Sequence, residues 1–414
     1  VEAREMLVRL GPAFIKAGQA LSIRPDLVPP CALKELQRLC DDCPPFPWPA
    51  ASATLRSELG RDPEELFEGL EGSPEPVAAA SLGQVYRLKL RGSDSWVAVK
   101  VQRPGMAHAV ALDVFILRQI CRILLWMTRQ FTANRTDHVA LLDAWARGTF
   151  GELDYEAEAQ HQQRFRSELL RKMGGRVYVP RVSEGLTTRH VLTTEWVAGP
   201  RLADCSKDVV QQLVPTGVEC FLTQLLELGF FHADPHPGNL LVSNGRLVLL
   251  DFGLIAEIEG FSMERHATAI VHLINANYEA LLEDFVALGF LPNDVNREEI
   301  VPVLRRVLEQ GMRAGSDAKR RVKQFGEISD DLNEVFYRLP FQVPEYFALV
   351  TRALAVLEGI ALVGDPEFDI FWAAYPFALS KATTVLGAKT AGLLSAGAAR
   401  QALRLSTDER SEWR

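Results

Sequence analysis

From Ala3 to Leu21 apolar residues recur at helical spacing; "RPDLVPP" interrupts them, more helix follows, and "CPPFPWP" makes a second break. The first ~70 residues therefore predict a small helical unit. The texture then changes. "EPVAAASLGQVYRLKL" and "WVAVKVQRPG" are short β-branched runs either side of a turn at Arg91 to Ser95, which predicts an antiparallel hairpin. Helical periodicity returns over His108 to Gln130 and again from His138 to about Lys172. Two short strands, "RVYVPRV" and "HVLTTEWV", precede a helix over Val209 to Leu228 and the polar loop in "FFHADPHPGNLLV". A second hairpin, "NLLVSNGRLVLLDFG", turns at Asn244-Gly245, and helices run nearly to the end, with a strong stripe at Ile270, Ile274, Tyr278, Leu281, Phe285 and Leu288. The pattern predicts an α+β architecture, strand-rich in the first half and helical afterwards.

One of these helices sets Arg118, Arg122 and Arg129 on a stripe opposite Ile116, Ile120, Leu124 and Met127, and core packing accounts for it. Arg305 to Lys323 holds seven basic residues against Glu309 and Asp317; a solvated helix face is expected, an anionic membrane surface being the alternative. Composition narrows the class further. The 414 residues, 48% hydrophobic, can bury at least one large core and fit two or three domains. With 45 basic against 53 acidic residues the net charge is −8, which excludes a nucleic-acid binder dominated by phosphate contacts. Six cysteines without dense, regular spacing suggest a reducing compartment, and the pair Cys40 and Cys43 has no second pair to complete a metal site. No uncharged apolar run reaches the ~18 residues that would span a bilayer, the apolar C-terminal region being cut by Asp369, Lys381 and Lys389. The chain opens at Val1 directly in an amphipathic pattern, so its cellular address has to be inferred from other features.

The polar loop concentrates the chemistry. His232 and His236 are four apart, but Pro235 lies between them and Pro237 follows, so no regular helix aligns two imidazoles on zinc. Asp234 and Asn239 are five apart, a strand-turn-strand leads out, and "LLDFG" places Asp251 at its end, the order of a kinase catalytic loop followed by D-F-G, with His-Ala-Asp in place of His-Arg-Asp. In such a site one carboxylate orients the attacking oxygen, while an amide and a second carboxylate hold magnesium against the phosphates. Upstream, "WVAVK" ends in Lys100 on an alternating strand, the context of the kinase strand lysine. The turn before it departs from a G-x-G-x-x-G loop: Ala78, Ala79, Ala80 and Ser81 stand where glycines are expected, with only Gly83 remaining. That predicts a stiffer loop and an altered nucleotide geometry. A helical glutamate must hold such a lysine, and "GELDYEAEAQ" offers Glu152, Asp154, Glu156 and Glu158; periodicity does not choose among them.

These motifs resemble the UbiB family of atypical kinase-like proteins from about Gly11 to at least Ala256. "FIKAGQALSIRPDLVPP" is similar to its K-x-G-Q motif at Lys16, Gly18 and Gln19, "AAASLGQVY" to its alanine-rich loop, "ELDYEAEA" to its E-x-D segment, and "HADPHPGNLLV" with "LLDFG" to its catalytic and metal-binding loops. The resemblance implies an atypical kinase-like fold: a helical extension over 1–70 packed on the active site, a small strand-rich lobe over 71–197, a helical lobe over 198–300 and a further helical region over 301–414. It implies that Glu158 partners Lys100, that Glu152 and Asp154 form a separate polar cluster, and that Lys16 and Gln19 act as a lid near that cluster. Three residues apart on a helix, Lys16 and Gln19 would share a face.

ATP and Mg2+ are the implied cofactors. Asp234 would orient the nucleophile, Lys100, held by Glu158, would contact the phosphates, Asn239 and Asp251 would hold the metal, and adenine would dock on the backbone near Glu195 and Val197. Only about a dozen residues separate D-F-G from the next helical stripe, and no A-P-E follows, which leaves little chain for a peptide-docking segment. The expected activity is phosphotransfer or ATP hydrolysis supporting isoprenoid-quinone or prenyl-lipid metabolism. The implied partners are a lipid or quinone-like molecule, a peripheral membrane surface and lipid-biosynthetic enzymes. A protein kinase acting in trans and a nucleotide-gated lipid-binding scaffold are the alternatives. "SIRPDLVPP" and "HADPHPGNLL" resemble bacterial, cyanobacterial and plastid members, which implies a chloroplast, at thylakoid or plastoglobule, ahead of a mitochondrion or bacterial inner membrane.

Overall fold

The computed structural model describes residues 44–131, 138–233, 237–258, 260–313 and 345–365, with isolated positions at 6, 14, 368, 370, 373–374 and 377. In chain order the elements are α1 (Trp48–Leu59), α2 (Pro63–Leu66), β1 (Phe67–Glu68), β2 (Ala78–Ala79), β3 (Gly83–Leu90), β4 (Trp96–Gln102), α3 (Met106–Phe131), α4 (His138–Gly151), α5 (Tyr155–Met173), β5 (Val177–Tyr178), β6 (Val191–Glu195), α6 (Lys207–Thr223), β7 (Phe230–His232), β8 (Leu240–Ser243), β9 (Arg246–Leu249), β10 (Ile255–Glu257), α7 (Gly260–Ile274), α8 (Tyr278–Ala287), α9 (Arg297–Arg313) and α10 (Glu345–Gly364). They fall into two compact units. One takes the described residues up to Glu168 with Tyr178–Gly199 and Leu249–Leu254; the other takes Leu169–Val177, Pro200–Val248 and the described residues from Ile255 onward.

The first unit is built on an antiparallel sheet of order β1-β3-β4-β6, with β2 pairing β3. Alternation along β4 sends Val97, Val99 and Val101 to one face, where Tyr86, Leu88 and Val191 join Ala51 and Leu55 of α1 in the core. Lys100 therefore points to the other face. There Tyr155 and Ala159 of α5 pack on Leu192, the residue paired with Lys100 across the ladder. α3 is fixed through Met106 and Val110, which pack with Leu82 and Leu153.

In the second unit α6 continues into one π-helical turn, Gln224–Leu228, stopped by Gly229 at φ +73°. A Cβ at 229 would stand 2.9 Å from Met263 Sδ and 3.1 Å from the Ile258 carbonyl, so the tight entry into β7 requires glycine twice over. β7 pairs antiparallel with β10, and β5, β9 and β8 form a three-stranded sheet. Asn244 and Gly245 both have positive φ, +51° and +69°, as the expected two-residue hairpin turn demands. Asp284 of α8 is fully buried; it accepts from Thr268 Oγ1 at 2.9 Å and Arg265 at 3.2 Å, and meets His272 Nδ1 at 2.7 Å.

Three sequence expectations need correction. The single helix from His138 to Lys172 is two helices, parted at residues 152–154 because Asp154 turns back to cap α5: its Oδ1 accepts from Ala157 N at 3.0 Å. The stripe from Ile270 to Leu288 is likewise divided. Ala276 adopts φ +53°, and Asn277 caps α8 by accepting from Ala280 N at 3.2 Å. The apolar stripe of α3 is not core: Ile116, Ile120 and Met127 are all exposed, because the buried side of this helix is at its N-terminal end. The side chains of Leu124 and Arg129, and the region 314–344 with most of the basic run, lie outside the described residues, as do Cys40 and Cys43. Among the described residues no helix is long and apolar enough to cross a membrane.

Candidate functional site

The site assembles in the first unit around Lys100. Its Nζ lies 2.8 and 2.9 Å from the two carboxylate oxygens of Glu158 and 3.4 Å from Asp251 Oδ1. The ring of Tyr155 lies beneath it, 5.0 Å from centroid to nitrogen. The cap at Asp154 sets the phase of α5. Glu158, His161 and Phe165, at spacings of three and four, then share one face. Glu158 meets Lys100, His161 Nδ1 lies 3.4 Å from the Phe252 carbonyl, and Phe165 packs on the fully buried Phe252 ring with centroids 5.1 Å apart. One helix face thus holds both the lysine and the D-F-G segment.

The D-F-G backbone is specialised. Asp251 adopts φ +59°, and its Oδ1 accepts from Gly253 N at 3.2 Å. A Cβ at 253 would press on Asp251 Oδ1 at 3.3 Å and Glu158 Oε2 at 3.4 Å, so the absence of a side chain lets the chain pass between two carboxylates. Glu158 is 3% exposed, Lys100 23% and Asp251 48%, a gradient from a buried anchor to an acid that faces solvent. Burial pushes the Glu158 carboxyl up to about 7, with Lys100 pulling the other way and Asp251 adding to the rise. Burial opposes the charge on Lys100, but Asp251 and Glu158 outweigh it and hold the ammonium well above its ordinary value. Burial likewise raises the Tyr155 hydroxyl, which Lys100 pulls down.

The alanine-rich segment is a hairpin rather than an open glycine loop. Ala78 and Ala79 pair with Val85 and Gln84, and Ala80 N donates to the Gly83 carbonyl at 2.8 Å across the turn. Ala78 and Ala80 are exposed, Ser81 and Gly83 buried. A Cβ on Gly83 would stand 2.5 Å from Tyr155 Oη and 2.7 Å from the Val101 carbonyl, so close approach, not positive φ, demands glycine there. Arg103 Nε donates to the Ala80 carbonyl at 3.1 Å and its Nη2 to the Pro44 carbonyl at 2.6 Å; buried Gln84 bonds both backbone groups of Phe46 at 3.0 Å. The sequence alone does not single out Arg103, Gln84 and Tyr155, since each acts on a partner distant in sequence; the alternation of β3 and the Tyr inside "ELDYEAEA" are the local signals it carries.

Of the other expected residues, Glu156 is exposed, Asp154 is the cap just described, and Glu152 lies half-buried in the turn before α5. The Glu195 carboxylate accepts from Tyr178 Oη at 2.5 Å, and its N–H donates to the Arg181 carbonyl at 2.8 Å; Val197 lies two residues beyond, half-buried. In the second unit Asn239 closes a short 3-10 turn before β8, and buried His232 donates its N–H to Gln224 Oε1 at 2.9 Å. Lys16, Gln19 and Asp234 lie outside the described residues. Among the described residues no three His, Cys, Asp or Glu side chains gather to hold a metal. The chain after D-F-G is short: residues 254–259, including β10, precede α7.

Residues 38–285 match the ABC1 atypical kinase-like domain, and the chain belongs to that family. It is 43% identical over 383 residues to the chloroplastic protein Activity of BC1 complex kinase 3 of Arabidopsis thaliana, covering 91% of this chain and 52% of the relative. An uncharacterised protein of Synechocystis sp. is 43% identical over 390 residues, covering 93% of this chain and 56% of the relative. The chain thus spans about half the length of these relatives. Among solved structures, Rv3197 of Mycobacterium tuberculosis, determined with erythromycin, superposes with a TM-score of 0.58 at 23% identity, covering 88% of this chain and 91% of that one; the likeness supports the fold alone. A mixed helix and sheet architecture of the kinase-like kind and membership of the plastid and cyanobacterial branch expected from the motifs stand together on these matches.

Proposed function

We propose that this chain is an ATP- and Mg2+-dependent kinase-like phosphotransferase or ATPase that supports isoprenoid-quinone or prenyl-lipid metabolism at a membrane, in a chloroplast or a cyanobacterial-type cell. The observation that carries the reading is the ammonium of Lys100, fixed by both oxygens of Glu158 and 3.4 Å from the D-F-G carboxylate. A lysine clamped this way presents a fixed positive charge to phosphate oxygens instead of a mobile one.

Asp251 would offer magnesium a half-exposed carboxylate and Asn239 an amide oxygen; each is a hard donor of the kind that ion takes, and phosphate and water would supply the remaining ligands. Bound there, Mg2+ would neutralise phosphate charge. Asp234 would orient the nucleophile, the hairpin from Ala78 to Gly83 would cover the phosphates, and the backbone at Glu195 and Val197 would receive adenine. Lys16 and Gln19, with Glu152 and Asp154, would close the site from the N-terminal extension. The short passage from Gly253 to α7 favours a small or lipidic acceptor, or water, over a docked peptide.

The test is phosphate release from ATP by the purified chain, with and without lipid vesicles and quinone-like phenols. Turnover that vesicles or phenols stimulate, and that Asp234→Asn and Asp251→Asn each reduce at least a hundred-fold, is expected. Turnover unchanged in both variants removes the mechanism.

A further inference from the structure

Among the described residues, the outer face of α3 has no partner in the core. Leu112, Phe115, Ile120, Ile123, Trp126 and Met127 are exposed, Phe115, Ile123 and Trp126 to 61%, 59% and 63%. At about 100° and about 1.5 Å per residue, these six fall on one arc about 140° wide and about 22 Å long. Isolated exposed apolar residues are ordinary; a contiguous stripe of this length, with two aromatic rings at its surface, marks an interaction surface.

Charge indicates what covers it. Arg118 and Arg122 line one edge of the stripe, Arg118 also reaching Asp143 of α4 at 2.7 Å and Arg122 exposed beside Gln119. The one acid of α3, Asp113, is buried. α3 itself carries Arg118, Arg122 and Arg129 against Asp113, a balance of +2 in a chain of net −8. An antiparallel two-fold pair of α3 helices would set arginine edge against arginine edge, and the nearest acid, Asp143, is already engaged by Arg118. An anionic leaflet supplies both an apolar layer for the stripe and negative headgroups for its edge.

We propose that α3 is a membrane-docking helix, lying in the plane of an anionic lipid surface with Phe115, Ile123 and Trp126 among the acyl chains and Arg122 at the headgroups. This rests on the membrane placement in the proposed function and is independent of its nucleotide chemistry.

The experiment is sedimentation of the full chain with vesicles of phosphatidylcholine alone and of phosphatidylcholine with phosphatidylglycerol. Wild type should partition at least ten-fold better to the anionic vesicles. Ile123→Glu with Trp126→Glu should lose at least ten-fold of that binding while keeping the melting temperature and vesicle-free ATP turnover. Arg122→Gln should lose about five-fold, on anionic vesicles only. Should the double variant melt early, Trp126→Phe decides: brominated lipid should quench wild-type fluorescence, and this variant should lose much of the quenching. Binding by the double variant equal to wild type overturns the docking role of α3 and leaves the membrane reading intact. No binding by wild type to either vesicle overturns both and leaves the ATP reading untouched. A double variant that dissociates a dimer without altering vesicle binding assigns the stripe to a second copy instead.

Discussion

Lys100 Nζ lies almost equally far from the two oxygens of Glu158, 2.8 and 2.9 Å, so a buried carboxylate spends both acceptors on one ammonium from a strand 58 residues earlier. The contact joins α5 to the sheet and makes the lysine a fixed element of the site.

Lys100→Met tests what that contact does for the fold. Without the ammonium, burial and Asp251 both push Glu158 upward from a value already near 7. A group whose folded pKa lies above its unfolded one contributes stability below the unfolded value, near about 4.3, and loses it as pH rises through the folded value. The variant should therefore melt close to wild type at about pH 5 and fall progressively behind by about pH 8. A deficit independent of pH in thermal melts would argue against a neutral, buried Glu158.

The same group shapes activity. Protonation of Glu158 releases Lys100, so kcat/KM for ATP should fall as pH drops through about 7. Asp251 adds to the rise of Glu158, and were its charge neutralised by a bound metal the corresponding limb of kcat should lie at lower pH. Glu158→Gln should flatten the acid limb of kcat/KM while lowering its plateau about ten- to a hundred-fold. A limb that persists in Glu158→Gln belongs to another residue.

Gly83→Ala places a methyl 2.5 Å from Tyr155 Oη and 2.7 Å from the Val101 carbonyl. The hairpin must shift, at a cost of about 1–3 kcal/mol, and KM for ATP should rise more than kcat falls. Tyr155→Phe removes the closer obstacle and should restore part of the loss; the Val101 carbonyl remains, so rescue is incomplete. Additive effects in the double-mutant cycle would contradict the steric cause.

Asp284→Ala leaves Thr268, His272 and Arg265 without their shared acceptor. Because Arg265 is partly exposed and can rehydrate, the expected loss is about 2–3 kcal/mol by urea unfolding, with ATP turnover per folded molecule unchanged. A change under about 0.5 kcal/mol would show that the cluster is structurally neutral.

What the sequence disclosed followed from whether a signal was local. The approach of Lys100 to Asp251 was legible because those residue types recur in an order tied to phosphate chemistry, and Asn244-Gly245 announced its hairpin by backbone preference alone. The breaks at Asp154 and Asn277 carried local cap signals as well, but apolar periodicity runs through a cap and masks it. Gly83 against Tyr155, and Arg103 on Ala80, could not be read: these are contacts between segments, and neither residue's neighbours in sequence require them. Periodicity showed that α3 has an apolar face but not whether that face meets core or solvent, since both give the same spacing.

Lys100 and Asp251, 3.4 Å apart, are proposed to converge on one magnesium-bound nucleotide. Calorimetric titration of ATP into the chain, with and without Mg2+, tests it most directly. Mg2+ should tighten wild-type binding, Lys100→Met should weaken it at least ten-fold under both conditions, and Asp251→Asn should abolish the gain from Mg2+ while preserving metal-free binding. Titrations of both variants that superpose on wild type would contradict the account.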